Sequence, residues 1–391
     1  MPRIAILVET SLASGRQILA GISHFLKQRN DISVFHHSGQ LGQMHPDSLI
    51  DWQGDGIIAR VVDASVAKLL IETGLPTVDV LGNVPDCGFP LVKTNNDTIG
   101  SIVAEHFIQN GFHHFGLIGL GKENWSLERE AAFFKSANEI STTPHSLHLK
   151  STDSEIVHIS HSLAAIRDWL PKLPKPIGVL VTSDQFAPLL FQAAHELELR
   201  IPEDISIVGV DNDAPYCDLC RPALSSVDPN HEEVGYQAAR LLEGLLTGAV
   251  THPQNITVRP HMIHLRRSSS FLAVNDPQLS KAMEFIRIKA CKGISVDEIA
   301  QHCGLSRSVL QRRFRSQINR SVGDCILNEK LTRAKELIYA GNLSMNHIAE
   351  LSGLNSQEYM SQVFRKHLHQ SPKEFKARLP HTFSTHSAQI E

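Results

Sequence analysis

The chain has 391 residues, about two to four domains' worth at roughly 100–200 residues each. Its 42% hydrophobic and 20% charged residues, with 24 Gly and 19 Pro, are those of a folded globular protein and exclude disorder, collagen and coiled coil. The formal charge is -4, yet residues 277–391 carry 17 Lys and Arg against 10 Asp and Glu, so a basic terminal module suited to a polyanion is attached to an acidic body.

The N-terminus reaches Glu9 after only five apolar residues, too few for the roughly 7–15 of a signal peptide. No later stretch approaches the roughly 18 uninterrupted apolar residues of a membrane span, so a cytoplasmic protein without a membrane partner is expected. Residues 3–8 form an apolar run without alternation, and Ser14-Gly-Arg-Gln-Ile-Leu-Ala-Gly-Ile22 has apolar residues at helical spacing, so a strand feeds a helix. The same grammar recurs in strand-like runs at 56–59, 77–81, 115–120, 177–182 and 205–210, with helical stretches at 98–110, 127–138 and 187–199. Strands buried on both faces with helices between them predict an α/β fold of doubly wound parallel sheets.

Ligands of such sheets bind beyond the carboxyl ends of the strands. The residues there are Glu9, Ser11, Ser14 and Arg16 after the first strand, and Trp125 with Arg129 one helical turn on after 115–120. Thr182, Ser183 and Asp184 follow the next strand, and Asp211, Asn212 and Asp213 the last. Carboxylates, amides and Arg satisfy the hydroxyls of a sugar in both roles, and an aromatic face covers its C–H side. Ser and Asp also favour helix caps, so Asp184 and Asp211 admit that reading too.

Six cysteines are too sparse for a disulfide scaffold. Cys217-Asp-Leu-Cys220 has half the spacing of a zinc site, but no second pair completes it, and no metal or cofactor is expected. Gly116-Leu-Ile-Gly-Leu-Gly121 is spaced GxxGxG rather than as a dinucleotide loop, and neither a GxSxG elbow nor a GxxxxGK[ST] loop is present. No catalytic residues are assigned and an enzyme is not expected. The polar stretch 264–270, continuing to 275–278, marks the boundary. The expected organisation is a sensor at 1–272, a linker at 273–280, a DNA-binding domain at 281–380 and a polar tail at 381–391.

The terminal part contains a repeat. Ile299-Ala-Gln-His-Cys-Gly-Leu305 and Ile348-Ala-Glu-Leu-Ser-Gly-Leu354 share Ile, Ala, Gly and Leu at an offset of 49, and Phe314-Arg315 and Phe364-Arg365 continue the match at an offset of 50. Each copy reads as a helix, a Gly-Leu turn and a second helix opened by Ser306, or by Asn355 or Ser356. In the first copy Leu310 and Phe314 point inward, while Ser308, Gln311, Arg312 and Arg315 share the other face, with Arg307 at the helix start. In the second, Tyr359, Val363 and Phe364 pack, Gln357, Glu358, Ser361 and Gln362 face out, and Arg365 and Lys366 lie behind them. Arg and Gln make bidentate contacts to guanine and adenine edges, and flanking cations meet phosphates.

These segments carry two resemblances. Ser14-Gly-Arg-Gln-Ile-Leu-Ala-Gly-Ile, Trp125-Ser-Leu-Glu-Arg-Glu-Ala-Ala-Phe, Val181-Thr-Ser-Asp-Gln-Phe-Ala and Ile201-Pro-Glu-Asp-Ile-Ser-Ile-Val-Gly-Val-Asp211 resemble the effector domain of LacI/GalR-type repressors. That likeness implies a two-lobed, periplasmic-binding-protein-like sensor with its ligand between the lobes, and puts Arg129, Ser183, Asp184 and Asp211 at sugar-contacting positions. The repeat, ending in Ser371-Pro-Lys-Glu-Phe375, resembles the all-α double helix-turn-helix domain of AraC-type transcription factors. Its connecting helix near 324–339 would hold the two reading helices one DNA turn apart. The whole arrangement resembles bacterial regulators of xylose operons. It implies double-stranded DNA, a sugar effector with D-xylose favoured, RNA polymerase and a second copy of the chain as partners, and activation as the output. Another sugar, a nucleobase or a repressing output remains open at this point.

Overall fold

The computed structural model describes the chain except residues 28, 30, 38–51, 139, 141–142, 151–154, 253, 272, 274–275, 319, 341–342, 369 and 378–391. The expected tail at 381–391 therefore lies outside the described residues. The chain divides into two compact units, Met1–Phe271 and Leu272–Glu391.

The first unit holds two six-stranded sheets. One contains β1 (Arg3–Leu7), β2 (Ser33–His37), β3 (Gly56–Ala59), β4 (Thr77–Asp79), β5 (Leu91–Thr94) and β11 (Asn255–Val258), in the order β11-β5-β4-β3-β1-β2. The other contains β6 (Phe115–Leu120), β7 (His145–Leu149), β8 (Ile177–Val181), β9 (Ile205–Val210), β10 (Ser225–Val227) and β12 (Ile263–His264), in the order β12-β10-β9-β8-β6-β7. Every pairing is parallel except β10 with β12. The chain crosses between the sheets after β5, after β10 and after β11, so each lobe is built from separated stretches of sequence.

The central strands β3, β6, β8 and β9 are buried along their whole length, which is why they read as unbroken apolar runs. Ile4, Ile6, Ile18, Ile22, Val234 and Leu242 form one face of the first lobe's core. Ile118, Val179, Leu190, Ile205 and Ile207 do the same in the second. The sequence reading left out β2, β5, β7, β10, β11 and β12, which are short or half-exposed. The segment 77–81 stops as a strand at Asp79, whose carboxylate accepts from the amides of Val61, Leu81 and Gly82.

The stretch 264–270 is part of the sensor and not a linker. Arg266, Ser268 and Ser269 are buried. Ser268 Oγ donates to the Ile207 carbonyl (2.6 Å) and accepts from the Ser225 amide (2.8 Å), while Arg266 donates to the Leu224 carbonyl (2.9 Å) and to Asn212 Oδ1 (2.9 Å). Its polarity serves the backbone of the β9 and β10 region rather than water. At the other side of the boundary a helix already begins at Pro277, capped by Asp276, so 277–280 is helical.

Every element among the described residues of the second unit is helical. The first helix-turn-helix copy consists of Val296–His302 and Arg307–Arg313, and the second of Met345–Leu351 and Gln357–Leu368. The helix Val322–Ala340 joins them. Each copy has its own core. Leu279, Ile286, Ile299, Leu310 and Phe314 pack with Val322 and Cys325, whereas Ile348, Leu354, Met360 and Phe364 pack with Leu331, Ala334 and Ile338. The repeat is thus two small cores strung on one shared helix.

Candidate functional site

A cleft opens at the strand ends of the first unit. Ser14, Arg60 and Lys93 line it from the first lobe, Trp125, Arg129, Ser183, Gln185 and Asp211 from the second, and Asn96 and His231 from the starts of crossover helices. Asp211 follows β9 with a φ of 114° and its amide donates to the Val227 carbonyl (3.0 Å). Its side chain accepts from Ser183 Oγ (2.8 Å) and lies 3.4 Å from His231 Nε2. Burial pushes the Asp211 carboxyl up, but the His231 contact, the Arg129 charge and the Ser183 hydroxyl together hold it below the ordinary carboxylate range. The cleft therefore presents an anion at neutral pH.

Arg129 is 3% exposed. It donates through Nε to Asn96 Oδ1 (2.9 Å) and through Nη1 to the Thr182 carbonyl (2.5 Å), and its guanidinium lies 4.9 Å from the Trp125 ring centroid. Cation and indole fix each other.

Polar contacts join the lobes around this cleft. Lys93 Nζ is 2.5 Å from Glu128 Oε1, and Asn96 Nδ2 donates to Glu128 Oε2 (2.8 Å). The Asn124 amide donates to Asn83 Oδ1 (2.7 Å) and its side chain to the Gly82 carbonyl (3.0 Å).

Of the expected contacts, Trp125, Arg129, Ser183 and Asp211 reach the cleft, and two do not. Arg16 is half-exposed outside it, donating to the carbonyls of Thr10 and Ser11 and lying 3.4 Å from Asp213 Oδ2. It ties the loop after β1 to the second lobe. Asp184 is fully buried behind the cleft, where it accepts from Ser226 Oγ (2.8 and 2.9 Å) and the Asp213 amide (2.9 Å). Burial first, and then the charge of Asp211, push its carboxyl well above the usual range. It holds the loop that carries Asp211 instead of facing a ligand. Gly209 permits this approach, since a Cβ there would meet Asp184 Oδ1 at 2.0 Å.

Arg60, Lys93, Asn96, Gln185 and His231 were not anticipated. Arg60 directly follows a strand that was recognised, so the strand-end rule pointed to it. Asn96 and His231 follow β5, a half-buried strand without an apolar run, and β10, a strand of three residues. Cys217 and Cys220 are buried thiols, and burial pushes Cys220 up to about 12. Among the described residues no group of three or more His, Cys, Asp or Glu could hold a metal ion, and no helix is long and apolar enough to cross a membrane.

In the second unit the reading helices form as the caps dictate. Ser306 Oγ accepts from the Val309 amide (3.3 Å) and Ser356 Oγ from the Tyr359 amide (3.1 Å), so Ser356 and not Asn355 caps the second. The turn residues Gly304 and Gly353 have φ of 66° and 71°, conformations that suit glycine. Leu310, Phe314, Val363 and Phe364 are buried, and Ser308, Gln311, Arg312 and Arg315 are exposed. Glu358, Gln362, Arg365 and Lys366 are also exposed, with Gln357 and Ser361 half-buried. Arg307 is exposed but already paired with Asp297 at 2.8 Å. Tyr359 corrects the expectation. It is 46% exposed, and Met360 occupies the core in its place, because Met360, Val363 and Phe364 keep the i, i+3, i+4 phase.

A periplasmic binding protein-like domain model matches residues 104–269, a helix-turn-helix domain model residues 299–378, and a XylR N-terminal domain model residues 3–96. The xylose operon regulatory protein of Haemophilus influenzae is 31% identical over 385 residues, covering 96% of this chain and 98% of that one. Its counterpart in Escherichia coli K12 is 30% identical, covering 96% of each. A solved structure described as the xylose-binding transcription activator xylR superposes with a TM-score of 0.70 at 30% identity, covering 96% of this chain and 98% of the other. The likeness spans sensor and reader in the same order, and the chain belongs to the family of xylose operon regulatory proteins.

Proposed function

We propose that this chain is a D-xylose-responsive transcription activator that binds the sugar between the sensor lobes and operator DNA through the two reading helices. As a member of its family it is a sequence-specific DNA-binding regulator and not an enzyme. The sugar assignment is carried by the cleft: an ionised, buried Asp211 with Ser183 and His231 faces Arg129 stacked on Trp125. An anion, fixed donors and an indole face match the hydroxyl rim and the C–H side of a pyranose. The relatives named for xylose favour that pentose.

In this reading Trp125, Arg129, Ser183 and Asp211 touch the ligand, while Arg16 and Asp184 act through the loops they hold. Ser308, Gln311, Arg312, Gln357, Glu358, Ser361 and Gln362 face base edges, and Arg307, Arg315, Arg365 and Lys366 face phosphates. Two protomers present their readers to paired half-sites, and RNA polymerase is the downstream partner. The ligand acts only through its greater affinity for one sensor state.

Calorimetric titration of the full-length protein with pentoses and hexoses, beside Asp211→Ala, tests this. A micromolar response to D-xylose that vanishes in the variant is expected. Silence toward every sugar, or hypoxanthine binding without pentose binding, overturns the sugar assignment and leaves the reader in place.

A further inference from the structure

Arg60 is placed firmly at its backbone and incompletely at its side chain. Its amide donates to the Leu7 carbonyl (3.1 Å), and the following amide, of Val61, donates to Asp79 Oδ1 (3.1 Å). The side chain lines the cleft, where its Nε is shut off from solvent and has no hydrogen-bond partner among the described residues. The carboxylates whose charges reach it are Asp211, Glu9, Asp79 and Glu123. Asp79 is engaged by three backbone amides, Asp211 by Ser183 and His231, Glu9 by the Ser11 hydroxyl, and Glu123 by the side chains of Trp125 and Asn83. A guanidinium has five donors, no acceptor, and keeps its proton. A buried donor left unmet costs more than a met one stabilises.

We propose that Arg60 makes closure of the cleft conditional on a hydroxylated ligand, because its Nε–H has no acceptor among the described residues and a ligand hydroxyl oxygen in the cleft supplies one. The inference rests on the reading of the cleft as a sugar site and deepens it. A hydroxyl is suited to the position because it can accept from Arg60 of the first lobe while donating to a carboxylate such as Asp211 of the second. An apolar ligand would leave the donor unmet, and an empty closed cleft does the same. Arg60 is therefore both a specificity residue and the group that disfavours closure without sugar.

The test is a protein-by-ligand cycle on the full-length chain, comparing wild type with Arg60→Met, which has similar bulk and no donor. Calorimetry is run with D-xylose and with its monodeoxy analogues. Wild type should bind one analogue about tenfold or more weakly than D-xylose, and Arg60→Met should bind that analogue and D-xylose alike. Without sugar, the variant's affinity for an operator selected from a random DNA pool should move toward the wild-type sugar-loaded value. The proposal is overturned if the variant keeps the wild-type discrimination, or if its sugar-free DNA affinity stays at the sugar-free wild-type level. Should Arg60→Met melt far below wild type, Arg60→Lys serves the same cycle, keeping the charge without a donor at Nε. Wild type silent to every sugar overturns the sugar reading and this proposal together, whereas sugar binding that Arg60→Met leaves unchanged overturns this proposal alone.

Discussion

Ser183 donates its hydroxyl to Oδ2 of Asp211 across 2.8 Å, while His231 stands 3.4 Å from the other carboxylate oxygen. The two partners orient an ionised group from opposite sides. Ser183→Ala removes one of them and should weaken sugar binding by about 1 kcal/mol, roughly fivefold. Asp211→Asn keeps the shape and loses the charge, so it should cost more. Calorimetry on the full chain checks the order, and a Ser183→Ala loss equal to that of Asp211→Asn would put as much of the binding on the serine as on the carboxylate charge.

On the first reading helix, Arg312 is exposed with Gln311 and Ser308. Arg312→Ala should cost about 1–3 kcal/mol of discrimination at one base pair. Arg365→Ala, under the phosphate contact proposed for it, should weaken binding to all sequences alike and lower the salt slope by about 1. Fluorescence anisotropy against a selected site, its single-base variants and a salt series separates the two. Equal behaviour of the variants would refute the division into base and phosphate contacts.

Arg313 lies on the same helix but is turned toward the start of the helix Pro277–Lys289. Its Nη1 lies 2.8 Å from both Asp276 Oδ2 and Gln278 Oε1, and Asp276 also caps the helix Pro277–Lys289 through the Gln278 amide (3.0 Å). Asp276→Ala thus removes a cap worth about 1 kcal/mol together with a partly buried ion pair. Urea unfolding followed by a probe in the second unit should show a larger loss for Asp276→Ala than for Asp276→Asn, which can still cap. Equal losses would assign the whole effect to the ion pair.

What was legible follows from periodicity and burial. Runs such as Ile205–Val210 and the pairs Ile299 with Ala300 and Ile348 with Ala349 announce themselves, because burial on both faces or a turn-bounded repeat leaves few alternatives. Half-exposed or three-residue strands such as Leu91–Thr94 and Ser225–Val227 have no such signature, since their identity lies in neighbours far along the chain. The cleft residues Asn96 and His231 were missed for that reason. Asp184 was misplaced because strand-end position says which residues are near a ligand, whereas its buried contacts with Ser226 and Asp213 decide which way the carboxylate points. The serines at 268 and 269 misled in the same way, as the hydroxyl of Ser268 is turned inward to the Ile207 carbonyl and that of Ser269 to the Ser225 hydroxyl. Tyr359 shows that one residue of helical phase, about 100°, separates core from surface.

The sensor should also lose stability in acid through His106. This imidazole packs beside Phe107, its Nε2 lies 3.3 Å from the Ser269 carbonyl, and burial pulls its pKa from 6.5 to about 4 against the raising effect of that carbonyl. The folded state thus prefers the neutral ring, while the unfolded chain takes up a proton near the ordinary value. Between those two pH values the unfolded state binds the extra proton, so stability is complete above about pH 6.5 and falls on acidification toward pH 4, by up to about 1.4 kcal/mol per unit. His106→Gln should flatten that part of the profile in thermal melts of the full chain between pH 4.5 and 7. Parallel profiles for variant and wild type would mean that the ring is protonated in the fold or open to water, contrary to its packing against Phe107 and the Ser269 segment.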